Sequence, residues 1–540
     1  MRAHFFIIIS LIYLHTNAQK LGTISGNAEV NIQTFQEDST INAEAREVYT
    51  RSYINLIYNY KNINIGSRLE FYNNTIPGLT NYEGAGLANK FIQYKNKFID
   101  ITLGNFYDEF GNGLIFRTYY DPNLGVDNSI NGLKLKTNPS KGIYLTAIMG
   151  RQRYYWELSN STIKALNTDL LLNQIIFKSW SSYINIGASF VTKKEEDDNP
   201  LYILPENVGA FNGRLYVTKG NININIDYAY KINDPSSDNN YIYKNGNAII
   251  MTSSYSTKGL GLSLGLKRLE NMSFRSERNA ILQDLNMNFI TPFTKQQSYS
   301  LATIYPYISQ PNGEIGAQFD IYYTIPKKTK LGGKYGTSIN VNFSNVFDIE
   351  RTLLNESSTI SESGTLGYNS NYIKRGEKLF QELNIEIIKK INRKLKLIGS
   401  FISLENNDKI LKSQPLLDNQ THEYIHAKIA ILEILYKIKP KNSTRIELQH
   451  LSTKEHYGNW IMGMIEYKLA PNWFWSIQDM YNYGHPNTPH YYSMSSGYTK
   501  GANRLSITYG KQRAGLFCVG GVCREVPASN GFSINLTSSF

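Results

Sequence analysis

Apolar and polar residues alternate one by one in many stretches of this chain. In residues 221–230, isoleucine and tyrosine occupy the even positions, whereas asparagine, aspartate and alanine occupy the odd positions. Similar alternation occurs in residues 259–266, 338–344 and 382–387. A period of two places successive side chains on opposite faces of a β-strand. These stretches therefore predict strands that each have one apolar and one polar face.

Soluble β-sandwiches and transmembrane β-barrels both show such alternation, and three features favour the barrel. The predicted strands are about ten residues or longer, which is enough to cross a bilayer at a tilt, whereas strands average roughly five or six residues in soluble proteins. Their polar faces carry Asn, Ser, Gly, Asp, Glu and Lys, which suits a water-filled lumen. Many tyrosines lie near predicted strand ends, where an interfacial girdle would form: Tyr58, Tyr60, Tyr228, Tyr230, Tyr322, Tyr323, Tyr481 and Tyr483. We predict an all-β fold, a single large transmembrane antiparallel β-barrel.

The alternation marks 25 candidate strands, one of which begins near residue 295. A bacterial barrel with both ends in the periplasm has an even number of strands. We therefore expect either one more strand in residues 347–376, where the pattern is weakest, or a strand that has been split or merged nearby. About 26 strands are expected in all, with a range of 22–28. Side chains cannot fill a lumen of that size, so it is either open or plugged by its own loops.

Six longer connections are predicted as outer loops, namely residues 36–48, 73–86, 106–129, 194–208, 270–294 and 514–530. Residues 106–129 are rich in glycine, aromatic residues and charges of both signs. A long loop of this composition either folds into the lumen as a constriction or simply remains exposed. The candidate constriction residues are Asp108, Glu109, Arg117, Asp121 and Asp127.

The N-terminal residues 1–18 are typical of a cleaved secretory signal peptide. Arg2 supplies the positive charge, residues 5–14 form the apolar stretch, and residues 16–18 form a cleavage site of small residues. Strand-like alternation starts within about ten residues of that site. We therefore expect residues 19–540 to form the barrel, without a plug domain.

The C-terminal strand carries Phe532, Ile534 and Leu536 in alternation, and the chain ends on Phe540. This pattern resembles the C-terminal signature of Gram-negative outer-membrane barrels, which the barrel-assembly machinery reads during insertion. It predicts an outer-membrane location, with outer-membrane lipid and that machinery as partners.

Composition excludes several other classes of protein. Lys and Arg total 56 and Asp and Glu 44, but the basic residues are scattered, so we expect no nucleic-acid binding. After the N-terminus no run of 18 apolar residues can span a bilayer as a helix. Apolar and aromatic residues recur along the whole length, which excludes a disordered chain.

Few motifs carry recognisable chemistry. Cys518 and Cys523 flank a Gly-Gly turn in the last predicted outer loop, and outside the cytoplasm such a pair most simply forms a disulfide. His485 and His490, with Asp479 nearby, are too few ligands to predict a metal site. We interpret them as polar loop residues. The patterns G-x-S-x-G (residues 261–265) and H-E-x-x-H (residues 422–426) both fall in predicted strands, and not at the strand-to-helix turn or on the helix that their chemistry requires, so we expect no catalytic residues, metal or cofactor.

Several short segments together resemble a known family. They are residues 110–114 (FGNGL), 124–128 (LGVDN), 305–307 (YPY), 310–314 (QPNGE), 331–337 (LGGKYGT) and 510–524, which end in CVGGVCR. The chain resembles a family of uncharacterised outer-membrane barrels from Bacteroidota, grouped under a domain of unknown function. The resemblance implies location and fold over nearly the whole mature chain, and it implies no activity.

The sequence as a whole predicts a non-enzymatic integral outer-membrane barrel. Two roles remain open: a pore for small solutes, or an accessory or structural barrel that works with a protein partner in an outer-membrane assembly. The alternative is an outer-membrane barrel hydrolase, for which no catalytic constellation is recognisable.

Overall fold

The computed structural model describes residues 22–354, 359–407, 410, 424–456, 458–484, 488–519 and 522–540. The described residues form a closed antiparallel β-barrel of 24 strands, so the predicted fold class is confirmed. The first twelve strands are β1 (Thr23–Phe35), β2 (Arg46–Tyr60), β3 (Ile63–Asn73), β4 (Gly84–Lys95), β5 (Ile99–Phe106), β6 (Ile130–Ser140), β7 (Ile143–Tyr154), β8 (Thr162–Leu171), β9 (Ser182–Lys194), β10 (Asn207–Lys219), β11 (Ile222–Lys231) and β12 (Gly246–Thr257).

The remaining strands complete the wall of the barrel. They are β13 (Leu260–Glu270), β14 (Gly313–Ile325), β15 (Thr337–Thr352), β16 (Asn369–Lys390), β17 (Leu395–Asn407), β18 (Tyr424–Lys439), β19 (Asn442–Ser452), β20 (Trp460–Leu469), β21 (Trp473–Asn482), β22 (His490–Lys500), β23 (Asn503–Gln512) and β24 (Ser529–Ser539). A two-residue strand, Glu157–Leu158, pairs only with the end of β7 and adds nothing to the wall. A short helix, Leu172–Ile175, follows β8.

The barrel closes between its first and last strands. Each strand pairs with the next along the chain, and β24 pairs back with β1, where Val30 faces Leu536 and Ile32 faces Ile534. Closure removes the open sheet edges that lipid cannot accommodate.

The two ends of the barrel differ in the length of their connections. Tight turns such as residues 61–62, 220–221 and 258–259 lie at the end where β1 begins and β24 ends. Long loops, including residues 271–312, lie at the opposite end. In outer-membrane barrels the short turns face the periplasm, so we name these the periplasmic end and the outer end.

The outer surface of the wall is apolar, whereas the inner surface is either polar or covered by packed side chains. On β3, Leu69 and Phe71 are 47% and 43% exposed, whereas the intervening Arg68 and Glu70 are buried inside. Aromatic side chains crowd the wall near the periplasmic turn 470–472, where Trp473 stacks on Trp475. An outward apolar band with aromatic girdles is the lipid-facing surface of a transmembrane barrel. In the described part of the chain, no helix has the length and hydrophobicity needed to cross a membrane.

Two connections fold back into the outer half of the lumen. We call residues 107–129, between β5 and β6, the first inner segment, and residues 271–312, between β13 and β14, the second inner segment. Phe110, Phe116, Phe274 and Phe293 pack with side chains of β5 to β13 in one apolar cluster. The rest of the second segment packs against β15 to β20 in another.

The wall has 24 strands, which lies within the expected range of 22–28 and is two fewer than the expected number of about 26. The candidate strand near residue 295 belongs to the second inner segment, where apolar residues such as Leu301 and Tyr305 are buried against the inner wall and not paired in the sheet. The described residues of 347–376 hold the end of β15 and the start of β16, with no additional strand between them. The six predicted outer loops all coincide with connections at the outer end, and residues 1–18 lie outside the described residues.

Candidate functional site

The first inner segment is anchored to the wall at Asp127. Its carboxylate pairs with Arg68 of β3 and Arg153 of β7, and it accepts a 2.9 Å hydrogen bond from the Tyr107 hydroxyl. Glu70 completes the cluster, 2.6 Å from Arg68 and 2.9 Å from Arg153. Two carboxylates therefore balance two guanidinium groups, as a buried cluster of charges requires.

The other candidate constriction residues also lie in the lumen and make local contacts. Asp108 pairs with two lysines of β6, at 2.7 and 3.5 Å. Glu109 lies 3.7 Å from Arg117 within the segment. Asp121 accepts backbone N–H groups two and three residues further along the chain. These side chains hold the segment in shape and to the wall.

The tip of the first inner segment, the FGNGL stretch, contacts the wall at β10 and β11. Gly111 adopts a positive φ of 57°, and a Cβ atom there would lie 2.3 Å from the Arg214 side chain. Only glycine combines that backbone conformation with so close an approach. Asn112 then donates a 2.7 Å hydrogen bond to Asp227 of β11.

The two inner segments bind each other through their backbones. The N–H of Arg117 donates to the carbonyl of Met287 at 2.7 Å, and the N–H of Phe289 donates to the carbonyl of Gly113 at 2.9 Å. The Arg117 guanidinium also lies over the Phe289 ring, 4.0 Å from its centroid. The segments therefore form one packed body inside the barrel.

The far part of the second inner segment reaches the opposite wall. Gln297 donates a 2.9 Å hydrogen bond to Glu382, and Lys295 donates a 3.0 Å hydrogen bond to Asn384, both on β16. The N–H of Leu301 donates to the side chain of Gln449 on β19 at 2.9 Å. The packed body thus spans the lumen from one side to the other.

A gap remains between residues 300–304 and the wall formed by β20 to β24 and β1. Its volume is about 360 Å³. The wall side of the lining is mixed: it has amides and hydroxyls, the apolar side chains of Met462, Met480 and Phe532, and the cations Lys511 and Arg513. The amides and hydroxyls belong to Gln33, Gln478, Ser493, Thr508, Ser529 and Ser533. None of the five candidate constriction residues lines this gap, which lies beside the second inner segment and not the first.

The inner wall changes character along its length. Behind the inner segments it is apolar, as at Ile425, Ala427 and Ile429 of β18. Nearer the periplasmic end it carries polar side chains, such as Asn223 and Asn225 of β11, which hydrogen-bond to Ser254 and Thr252 of β12. The expectation of a polar lining therefore holds only where no segment covers the wall, because the packed body needs an apolar surface to bury its own residues.

The residues of the C-terminal signature lie on β24 and immediately after it. Phe532, Leu536 and Phe540 are each more than 40% exposed, in the band that faces lipid. The backbone of Phe540 exchanges hydrogen bonds with Gly26 of β1 at 2.9 and 3.0 Å. These residues thus lie at the closing seam of the barrel.

The cysteines lie in the outer connection between β23 and β24. Gly515–Val519 and Val522–Val526 form a small hairpin, in which Cys518 faces Cys523 and is bonded to it. The hairpin contacts the first inner segment, because Arg524 donates a 2.6 Å hydrogen bond to the carbonyl of Asn123.

The histidine pair does not form a metal site in the described structure. His490 Nδ1 lies 2.7 Å from Asp479 on the outward face of β21 and β22, and His485 lies outside the described residues. No group of three or more His, Cys, Asp or Glu side chains that could hold a metal occurs among the residues that are described.

Solved structures similar to this chain are large membrane barrels. The translocation pore of the P pilus usher PapC has 10% identity and a TM-score of 0.45, with coverage of 96% of this chain and 98% of that chain. The siderophore receptor PirA from Pseudomonas aeruginosa has 10% identity and a TM-score of 0.40, with coverage of 96% and 80%. OccK5 from the same organism has 11% identity and a TM-score of 0.37, with coverage of 76% and 97%.

No curated protein sequence matches this chain. Because none of the three structural similarities reaches a TM-score of 0.5, the assignment as an outer-membrane type of barrel rests on the closed wall, the apolar band and the unequal ends described above. A family model does match the entire length, residues 1–540. The chain therefore belongs to the family of unknown function DUF6029.

Proposed function

We propose that this protein is a non-enzymatic outer-membrane barrel that admits small polar solutes through a gated lumen. It would reach the outer membrane by a cleaved signal peptide, residues 1–18, and be inserted by the barrel-assembly machinery. The observation that carries the proposal is the occupied lumen: two connections of the wall fold inward, bind each other and leave a gap beside the wall.

The gap supports a solute path of limited width. The amides and hydroxyls in its lining can replace water around a small polar molecule, as in other pores with polar linings. Its volume of about 360 Å³ is at the lower end of small-molecule cavities. A larger solute would require the second inner segment to move away from the wall.

In this proposal Asp108, Glu109, Arg117, Asp121 and Asp127 set the constriction indirectly. Their ion pairs and hydrogen bonds hold the first inner segment, and this segment in turn holds the second through the backbone contacts of Arg117 and Gly113. They position the gate and do not line the path.

Planar bilayers with the purified barrel test the gate. We expect small, infrequent openings for the wild type and a several-fold higher open probability for the Lys295→Ala, Gln297→Ala double variant. Both substitutions remove hydrogen bonds that tie the second inner segment to β16. The matched control is Lys219→Ala with Gln174→Ala, which changes the same residue types at the periplasmic end.

Heat-modifiable migration on gels first establishes that each variant is folded. If folded wild type and double variant are both electrically silent, the gated pore is wrong. Equal openings in the double variant and its control would also contradict a gate at the second inner segment.

A specific surface favours the second candidate, an accessory barrel of an outer-membrane assembly. Leu201, Ile203 and Leu366 are 80%, 89% and 66% exposed on outer loops. Tyr243 ties these loops together, because its hydroxyl donates to the carbonyl of Ile203 and its N–H donates to the carbonyl of Thr365, both at 2.8 Å. Exposed apolar side chains on a fixed surface are typical of protein contact sites.

Affinity purification from native outer membranes in mild detergent tests that role. The accessory role predicts a stoichiometric partner that the Leu201→Ser, Ile203→Ser variant loses. The matched control, the lipid-facing pair Leu69→Ser with Leu103→Ser, should keep this partner. A barrel that purifies alone would leave the gated pore as the proposal.

A further inference from the structure

Three periplasmic connections bring a dense group of cations to one side of the barrel mouth. They are the turns after β16, β18 and β20, at residues 391–394, 440–441 and 470–472. Together with the adjoining strand ends they line a cavity of about 410 Å³. The cationic residues that line it are Lys390, Arg393, Lys394, Lys396, Lys437, Lys441, Arg445 and Lys468. We call this cavity the basic mouth.

The sheet register places several of these cations on the lumen face. Lys390 of β16 is directly opposite Lys396 of β17, so two like charges are neighbours. Lys437 of β18 and Lys468 of β20 both pair with Ser443 of β19, which lies between them. Side chains directly opposite in an antiparallel pair are about 5 Å apart at Cβ, and like charges there are destabilising. An anion bound among them would remove that repulsion.

Few carboxylates neutralise this group. Glu466 is the only acidic residue that lines the cavity, and it lies 2.8 Å from Lys468. Within the described residues, Lys390, Lys396 and Lys437 form no ion pair with a carboxylate. The net charge of the lining is strongly positive, so the cavity attracts anions.

The wall deeper in the lumen carries the opposite charge. Glu433 and Glu447 face each other deeper in the lumen, four residues from Lys437 and two residues from Arg445 along their strands, and Arg445 pairs with both. Glu386 lies four residues from Lys390, about 13 Å along β16. An anion attracted to the mouth therefore meets carboxylates if it moves inward, which favours retention at the mouth over passage.

We propose that the basic mouth is a binding site for a polyvalent phosphate-bearing anion, whose oxygens accept hydrogen bonds from Lys390, Lys396 and Lys437. Polyvalent phosphate suits the cavity because its several charged oxygens can accept hydrogen bonds from several ammonium groups at once, whereas one carboxylate offers only two oxygens. The phosphate can come from a soluble periplasmic compound or from an anionic lipid headgroup of the inner leaflet. This site is independent of the gate, since no inner segment contributes to it.

Isothermal titration of the intact barrel with pyrophosphate tests the site. We expect binding by the wild type that weakens with added salt, and about tenfold weaker binding by the Lys390→Gln, Lys396→Gln, Lys437→Gln variant. The matched control is Lys61→Gln, Lys219→Gln, Lys258→Gln, which removes three cations from separate periplasmic turns and keeps the wild-type affinity.

A second arm repeats the comparison in nanodiscs with and without cardiolipin, a lipid with two phosphate groups, with phosphatidylcholine as the bulk lipid. Pyrophosphate binding assigns the phosphate to the periplasm, whereas a response to cardiolipin alone assigns it to the lipid headgroup. The proposal is overturned if the wild type binds neither probe, or if the control variant loses as much affinity as the basic-mouth variant.

Discussion

At the scale of single residues, Asp127 has the most demanding environment in the lumen. It is buried with Arg68 and Arg153, and its hydrogen bonds extend to Tyr107. Buried guanidinium groups cannot shed their charge, so they depend on a carboxylate nearby. This one side chain therefore determines whether the first inner segment can dock on the wall.

We expect Asp127→Asn to lower the free energy of unfolding by about 3 kcal/mol, because it leaves buried cations uncompensated. Urea unfolding in detergent, followed by tryptophan fluorescence, measures the change. The control is Asp100→Asn, since among the described residues the only cation that pairs with Asp100 is the largely exposed Lys95 at 3.9 Å, and its hydrogen bond from Gln93 is to a neutral group. Similar losses in both variants would contradict a special role for Asp127.

At the scale of elements, the connection between β23 and β24 is a hairpin that contacts the first inner segment. Cys518 and Cys523 cross-link its two short strands, and Arg524 fixes it to the first inner segment through the carbonyl of Asn123. A cross-linked loop has fewer open conformations than a free one, which favours this contact. The hairpin thus forms part of the outer rim that covers the lumen.

We expect Cys518 and Cys523 to resist alkylation in the unfolded but unreduced protein, and to take up two labels after reduction. Mass spectrometry of the intact chain reads the shift directly. Labelling without a reductant would show that the hairpin is not cross-linked in the cell. If the hairpin is cross-linked, the Cys518→Ser, Cys523→Ser variant should show faster proteolysis of residues 513–528 than the wild type.

At the scale of the whole molecule, closure of the wall depends on the seam between β24 and β1. Asp38, in the first outer loop, pairs with Lys511 of β23 at 2.5 Å and accepts a 2.9 Å hydrogen bond from Asn530 of β24. The hydrogen bond from Lys511 and those from Thr40 lower the pKa of Asp38 to about 2. One carboxylate thus joins the first loop to both final strands.

The seam should weaken in acid, with a predictable pH window. Because the folded pKa of about 2 lies below the ordinary value of 3.8, Asp38 stabilises the fold above pH 3.8, and this contribution is lost as the pH falls towards 2. We expect Asp38→Asn to lower the thermal midpoint at pH 6, and the difference from the wild type to vanish near pH 2. A constant difference across this range would contradict the pairing with Lys511.

Alternation along the chain was sufficient to predict the wall of this molecule. Residues 221–230 lie in β11 except for Asn221, and residues 382–387 lie in β16. The sequence also predicted that residues 107–129, given there as 106–129, connect two strands, and it identified the charged residues among them. Alternation predicts these elements because lipid on one side and a polar lumen on the other impose the period of two directly.

The contents of the lumen were much less predictable. The second inner segment has apolar residues, such as Leu301 and Tyr305, that suit a strand equally well, and the apolar inner wall of β15 to β20 explains their burial. The basic mouth combines turns that are far apart in sequence, and the register of β16 to β20 alone unites them. Both features depend on which strands become neighbours, and composition does not contain that information.

The inner segments have a consequence for the order in which the molecule is assembled. Each leaves and re-enters the wall at adjacent, paired strands: Phe106 is opposite Ile130, and Glu270 is opposite Gly313. Every hydrogen bond of the ring can therefore form before either segment occupies the interior. We infer that insertion into the membrane comes first and that filling of the hollow ring follows, and that the second step can be reversed without opening the wall.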